Sequence, residues 1–244
     1  MTAIRTENLT KKFKDITAVN NLNMEIMENE LFALLGVNGA GKTTTIKMLS
    51  CLIKPSKGDA FIFNKSIVND AYSIKPFINV SPQETAVAPN LSVMENLELI
   101  GGIYGYDKKS SFVKANNIIA SFGLEEVQKQ KANTLSGGYQ RRLSIAMALI
   151  TDPKLLFLDE PTLGLDVLAR RELWKIIKKL KESMTIILTT HYLEEAVALS
   201  DRIGIMVKGE LKTVGTSEEI IREAKADNFE DAFIAISEGK GGAI

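Results

Sequence analysis

The sequence predicts an α/β protein: a mixed, mainly parallel core sheet, an N-terminal antiparallel β subdomain and an inserted α-helical subdomain. Three observations lead there. Short runs rich in Leu and Ile, at Leu31–Leu35, Leu155–Leu158 and Thr185–Thr190, read as strands buried on both faces, with helical patterns between them. The segment Leu22-Asn23-Met24-Glu25-Ile26 alternates apolar with polar, as an antiparallel strand with one covered face does. Residues 90–150 read mostly as helix and fall between the first two of those runs.

Size and composition agree with one large domain carrying a subdomain, since the chain has 244 residues. The expected division is one large domain over 1–219, with the helical insert at about 85–150, and a short helical tail over 220–244. Thirty basic and thirty acidic residues cancel, which argues against a general polyanion-binding role; no nucleic acid partner is expected. The single cysteine, Cys51, excludes an internal disulfide, fits a reducing compartment and reads as a small core residue rather than a reactive thiol. No secretory signal precedes Ile4 and no apolar run reaches membrane-spanning length, so the expectation is a soluble chain without direct membrane insertion. The Gly-rich end, Gly239-Lys240-Gly241-Gly242, is expected to fray.

In chain order, Ala3–Leu9, Ala18–Ile26 and Leu31–Leu35 read as strands joined by polar turns. Phe13, among lysines in the loop 10–15, is either a core anchor or an exposed stacking platform; spacing puts the anchor slightly ahead. At the end of Leu31–Leu35 comes Gly36-Val37-Asn38-Gly39-Ala40-Gly41-Lys42-Thr43-Thr44, which fits the P-loop pattern at every fixed position. A helix comes next, with Ile46, Met48, Leu49 and Leu52 as its apolar side. The chemistry needs these residue types. Gly36, Gly39 and Gly41 let backbone N–H groups approach phosphate oxygens, and the helix N-terminus turns its positive dipole end to the same anion. Lys42 adds a mobile cation for the terminal phosphates, and the Thr43 hydroxyl suits Mg²⁺. A Gly-rich turn matching this pattern by chance has odds on the order of a per cent. The core therefore reads as a P-loop NTPase core with a nucleoside triphosphate site.

Beyond the P-loop helix, residues 54–58 read as a turn, Asp59–Phe63 and Ile78–Ser81 as strands. Gln83, just past the second, sits where α/β nucleotide sites place ligand contacts, although a surface Gln in a loop is the commoner case. Ser92-Val93-Met94-Glu95 is a capping box opening a helix Val93–Ile103, whose end Gly101, Gly102 and Gly105 are expected to loosen. Ser110–Phe122 and Glu125–Gln130 read as further helices. Leu135-Ser136-Gly137-Gly138 then opens a helix over Tyr139–Ile150, a second Ser/Gly loop at a helix N-terminus and so a second anion site, or else a plain N-cap. Arg141 and Arg142 read as a solvated basic face.

The strand ending at Asp159 delivers two adjacent carboxylates. Asp159 suits Mg²⁺, and Glu160, expected to point the other way across the strand end, suits proton abstraction from a water. Two carboxylates there are costly without a cation or partner. Gly164-Leu165-Asp166 turns into a helix Val167–Glu182, whose Arg171, Lys175, Lys178 and Lys181 read as a solvated face. A lone histidine is usually structural, but His191, the one histidine of the chain, comes directly after the strand Thr185–Thr190, beside the P-loop, and is placed to meet a γ-phosphate. Glu194–Leu199 reads as helix. Asp201–Val207 and Glu210–Val214 form a hairpin through Lys208-Gly209, Thr216 and Glu219 cap a further helix, and Phe229, Ala232, Phe233 and Ile236 recur at helical spacing in a tail that should dock.

Together, and in this order, these motifs resemble the nucleotide-binding subunit of ATP-binding-cassette (ABC) transporters, over about Ile4–Glu219. Gly36–Thr43 is similar to the Walker A loop, Leu155–Asp159 with Glu160 to Walker B and the catalytic glutamate, and Leu135–Gly138 to the ABC signature. Gln83 is similar to the Q-loop, Gly164–Asp166 to the D-loop and His191 to the switch histidine. Phe13 falls at the adenine-stacking position, where Tyr is more usual; the resemblance outweighs its anchor reading. Tyr139-Gln140 departs from the usual signature, in which Gln comes first. The resemblance implies ATP and Mg²⁺ as ligands, with Thr43, Gln83 and Asp159 toward the metal and Glu160, His191, Lys42 and Gln83 in catalysis. Phe13, Gly36, Asn38, Gly39, Gly41, Lys42, Thr43 and Thr44 would bind nucleotide, with Ser136, Gly137, Gly138 and Asp166 acting across a head-to-tail dimer of identical or related subunits. It further implies transmembrane permease subunits as partners, docked in the groove between the core and the helical insert, and a location at the cytoplasmic face of the membrane.

Within the family, the short chain, its tail and Pro161–Asp166 resemble the bacterial efflux group. Two other readings compete. A soluble ABC ATPase acting on ribosomes or nucleic acid usually carries two cassettes or a long coiled-coil insertion, and this chain has neither. A regulatory member that binds ATP without hydrolysing it is disfavoured by Glu160 and His191.

Overall fold

The computed structural model describes residues 1–239, so all but Gly239 of the Gly-rich end lies outside the described residues. Two sheets make its frame. The smaller is antiparallel: β1 (Thr2–Phe13) pairs with β2 (Ile16–Leu22), β3 (Glu25–Met27) and β5 (Lys57–Ile62), and β6 (Lys65–Ser66) extends it. The expected strand Ala18–Ile26 is thus two strands, and β1 runs on to Phe13, which pairs with Ile16 across a tight turn in which Lys14 takes φ 49°. Met24 and Ile26 are buried while Glu25 and Met27 face out, so the alternation holds.

The larger sheet has the order β11-β10-β4-β9-β8-β7, from β4 (Leu31–Leu35), β7 (Ile78–Ser81), β8 (Leu155–Asp159), β9 (Thr185–Thr190), β10 (Arg202–Val207) and β11 (Glu210–Gly215). All its pairings are parallel except that of β11 with β10, the expected hairpin. Every residue of β4, β8 and β9 is buried. The pleat splits them between two cores. Leu31, Ala33, Leu35, Leu156, Leu158, Ile186 and Leu188 pack toward the main helical layer, and Phe32, Leu34, Leu155, Phe157 and Ile187 pack toward helix α1 (Lys42–Leu49) and the antiparallel sheet. Leu52, expected on the apolar side of α1, lies past its end and is exposed; Cys51 sits in the turn between with φ 58°, half-buried.

A short helix α2 (Ala71–Ile74), not anticipated from the sequence, precedes β7. The helical layer contains α3 (Val93–Ile103), α4 (Lys108–Phe122) and α5 (Gly137–Ala148), packed through Leu97, Ala115, Ile119, Phe122 and Leu143. The capping box on α3 is complete, with Ser92 and Glu95 bonding each other's backbone N–H. Gly101 does not loosen α3 but lies within it. A Cβ there would come within 2.6 Å of Ser111 Oγ, so this glycine lets α3 and α4 close on each other. The expected helix Glu125–Gln130 is one tight turn, Glu125–Val127. Helices α6 (Val167–Leu180) and α7 (Leu193–Leu199) flank the sheet, and α8 (Ser217–Ala224) packs with α9 (Phe229–Ser237), whose Phe229 and Ala232 are buried. No helix among the described residues is long and apolar enough to cross a membrane.

Strands β4, β9, β8 and β7 are neighbours and parallel, so their carboxyl ends lie along one edge of the sheet. The P-loop, His191, Glu160 and Gln83, each just past one of these strands, therefore meet at that edge. It is the edge at which open α/β sheets bind ligands.

Candidate active site

At this edge lies a cleft of about 470 Å³ lined by Phe13, Ala18, Asn38, Gly39, Ala40, Gly41, Lys42, Thr43, Thr44, Gln83, Glu160, Leu163 and His191. Ten of these are residues singled out in the sequence. Gly41 shows why the motif needs glycine. Its φ is +103°, and a Cβ would lie 2.4 Å from the Ala18 carbonyl oxygen. Gly36 lies beneath the cleft, buried.

The carboxylates are both satisfied. Asp159 Oδ1 accepts from Thr43 Oγ1 at 3.1 Å and from Thr189 Oγ1 at 2.5 Å. Glu160 Oε1 is 3.2 Å from Lys42 Nζ, and its Oε2 is 2.7 Å from His191 Nδ1. Lys42 Nζ also donates to the Gly36 carbonyl at 2.7 Å and the Val37 carbonyl at 3.4 Å. Strand alternation predicts opposite directions for Asp159 and Glu160. The structure instead gives both a partner in the first turn of α1, Thr43 and Lys42. Glu160 has φ 47°, so the pleat is broken there; its N–H is held by the Thr189 carbonyl at 3.2 Å and Thr189 Oγ1 at 3.1 Å. Such a backbone outlier at a strand end is a recurrent mark of functional sites.

Arg141 overturns the expected solvated basic face. It is 5% exposed, and its guanidinium donates to four carbonyl oxygens: Nε to Pro161 at 2.8 Å, Nη1 to Pro82 at 2.5 Å and Gln83 at 3.4 Å, Nη2 to Asp159 at 2.9 Å. Burial pulls its pKa down to about 10, against the attraction of Asp159 and Glu195. Arg142 is half-buried, paired with Glu172 and set over the Tyr139 ring.

Ser136, Gly137, Gly138 and Asp166 do not line the cleft. Ser136 caps α5, and Gly138 comes close to Ala169 at the start of α6, where Asp166 caps by accepting from Leu168 N and Ala169 N at 2.9 Å each. Ser136 and Gly137 are exposed.

A family profile described as "ABC transporter" matches residues 19–163, well over half of the chain. The chain belongs to the ABC transporter family. The ABC cassette hydrolyses ATP, and its fold is shared by a solved dimeric cassette, MJ0796, in a post-hydrolysis state bound to ADP and Pi. The two superpose with a TM-score of 0.78 at 29% identity, over 87% of this chain and 98% of that one. Among curated relatives, "ABC transporter A family member 2" of Arabidopsis thaliana is 46% identical over 209 residues, 85% of this chain and 21% of that protein. "Daunorubicin/doxorubicin resistance ATP-binding protein DrrA" of Streptomyces peucetius is 37% identical over 219 residues, 89% of this chain and 66% of that protein. This chain spans about a fifth of the first of these relatives and about two thirds of the second.

In this ABC cassette Phe13 is 46% exposed, with Lys11 Nζ 5.0 Å from its ring centre. The core-anchor reading is excluded. Phe13→Ala is expected to weaken ATP binding by no more than ~3 kcal/mol, the upper range for a base stacked on an aromatic ring. Unchanged affinity in a nucleotide titration would remove Phe13 from the site.

Glu195, on α7 behind the cleft, was not anticipated from the sequence. It is fully buried, and Trp174 Nε1 donates to its Oε1 at 3.2 Å. Burial pushes its carboxyl pKa up, against the hydrogen bond from Trp174. Its folded value thus lies above its unfolded one. The associated stability is full below the unfolded value and is lost as pH rises through the folded one. The melting temperature of Glu195→Gln should therefore gain on that of wild type as pH is raised above 4.5, the ordinary value. A pH-independent gap between the two would show the carboxyl to be unperturbed.

Proposed function

We propose that this chain is the ATP-hydrolysing subunit of an exporter, pairing head to tail with a second cassette around two ATP and driving a separate transmembrane permease. The observation that carries the reading is the division of the phosphate-binding groups. The P-loop cleft holds Lys42, Thr43, Glu160 and His191, while the second helix start, Ser136–Gly138, has Ser136 and Gly137 exposed and lines no part of it. A second subunit placed head to tail supplies that missing half, so each triphosphate is gripped from both sides and hydrolysis releases the pair.

In each site Glu160 takes the proton from the attacking water, and His191 holds and orients its carboxylate. Lys42, shared between Glu160 and two P-loop carbonyls, turns its charge toward the entering phosphates. The Thr43 hydroxyl and the Asp159 carboxylate, with Gln83 on the cleft wall, form an all-oxygen donor set that fits Mg²⁺. When bound, Mg²⁺ neutralises charge on the entering phosphates.

The permease would dock in an apolar groove of about 770 Å³ between core and helical insert. Leu52, Tyr72, Ile78, Val80, Tyr104 and Tyr106 line it, and Pro82 places it next to Gln83. The relationship to DrrA, a resistance protein by its name, supports export, and docking on a permease places the chain at the cytoplasmic face of the membrane. The test is capture of partners by tagged Glu160→Gln chain from detergent-solubilised membranes with ATP and Mg²⁺. A polytopic membrane protein in stoichiometric amount is the expected result. Ribosomal or nucleic-acid-bound partners alone would transfer the same ATPase chemistry to a soluble role.

A further inference from the structure

Arg141 stands outside every motif that carries the chemistry, yet it is the group through which three of them touch. It lies in the second turn of α5, the helix that opens with Ser136–Gly138. Its three guanidinium nitrogens reach backbone on two other elements: the Pro82 and Gln83 carbonyls past β7, and the Asp159 and Pro161 carbonyls that bracket Glu160. A fork of this shape fixes direction as well as distance, which a flexible ammonium cannot do. Four charge-assisted acceptors around a buried cation also make the contact costly to leave half-made.

We propose that Arg141 is a positioning residue: it ties the signature helix to the Gln83 segment and to the backbone on both sides of Glu160, so that a shift of α5 sets the aim of the catalytic carboxylate. Glu160 needs such a tie. Its backbone sits at φ 47°, and only the carbonyl and the hydroxyl of one residue, Thr189, hold its N–H. Arg141 holds the carbonyls of the two residues that flank it, Asp159 and Pro161, so the strained residue is clamped from α5 as well as from β9. The inference rests on the ATPase reading of the cleft but not on any permease.

The test uses the purified full chain with Arg141→Gln and Arg141→Lys, measuring ATP turnover, KM, equilibrium binding of a non-hydrolysable ATP analogue, and amide hydrogen exchange at Gln83 and Glu84. Arg141→Gln is expected to lower kcat by about 10- to 100-fold, the loss that small misplacement of a reacting group brings. KM and analogue binding should stay within about twofold, because no part of Arg141 lines the cleft. Exchange at Gln83 and Glu84 should quicken, and Arg141→Lys, which keeps the charge but not the fork, should recover part of kcat. Unchanged kcat in folded Arg141→Gln overturns the proposal. So does a parallel loss of kcat and analogue binding, or failure of both variants to fold, since each marks a general structural role. Wild-type chain without ATPase activity would instead count against the ATPase reading itself.

Discussion

Glu160→Gln is expected to bind ATP as wild type does and to turn it over more slowly by about two to four orders of magnitude, the usual loss for a missing general base. The amide occupies the same volume and still offers an oxygen to Lys42, and Lys42 keeps its bonds to the Gly36 and Val37 carbonyls at 2.7 and 3.4 Å. The phosphate grip therefore survives while the proton acceptor is lost. Glu160→Ala is a poorer experiment. Both variants remove the negative charge beside a lysine only 6% exposed, but Ala also removes the oxygen that faces it, and a buried charge left without a partner costs about 3–5 kcal/mol of stability. Single-turnover hydrolysis read beside nucleotide binding separates the two effects. In the head-to-tail arrangement proposed for two cassettes, the Gln variant should also accumulate as an ATP-bound dimer on size-exclusion chromatography. An unaltered turnover number would remove Glu160 from the mechanism.

Ser136→Arg is the second large effect. Ser136 is exposed and caps α5 through a long 3.5 Å bond from Tyr139 N, and Gly137 beside it has nothing within 4 Å of a notional Cβ. A long side chain there disturbs little of its own subunit beyond the cap, a loss of about 1 kcal/mol. In the proposed dimer it would stand between the signature loop and the opposite phosphate. Turnover should fall by about 10²- to 10³-fold, as when a preorganised anion donor is removed, while ATP binding by the isolated chain stays unchanged. Dimers that form as before would exclude the trans arrangement of the signature loop.

Much of this site is legible in the sequence because its chemistry is local. The P-loop needs glycine where φ turns positive and where backbone packs on backbone, so its spacing is written in consecutive residues, and Gly41 shows both demands at one position. The strands that carry the site are legible for a related reason. A strand buried on both faces must be apolar throughout, as β4, β8 and β9 largely are. Phe13 is less legible, because a lone aromatic among lysines is compatible with either side of a surface; the extension of β1 to its own turn places it on the outside.

Arg141 marks the limit. An arginine beside an arginine on a helix reads as a solvated face, and nothing adjacent in the chain says otherwise. Its four acceptors lie 18 to 59 residues away, and only the packing of α5 against the ends of β7 and β8 brings their carbonyls to one point. The same holds for Glu195, buried because α7 closes over it, and for the direction of Glu160, set by a backbone angle that strand periodicity does not contain. The sequence alone determined the family, the phosphate loop, the two carboxylates and the histidine, because each depends on residue type at short spacing. Tertiary structure alone decided which buried cations and acids surround them, because burial and carbonyl geometry belong to the packing of distant segments.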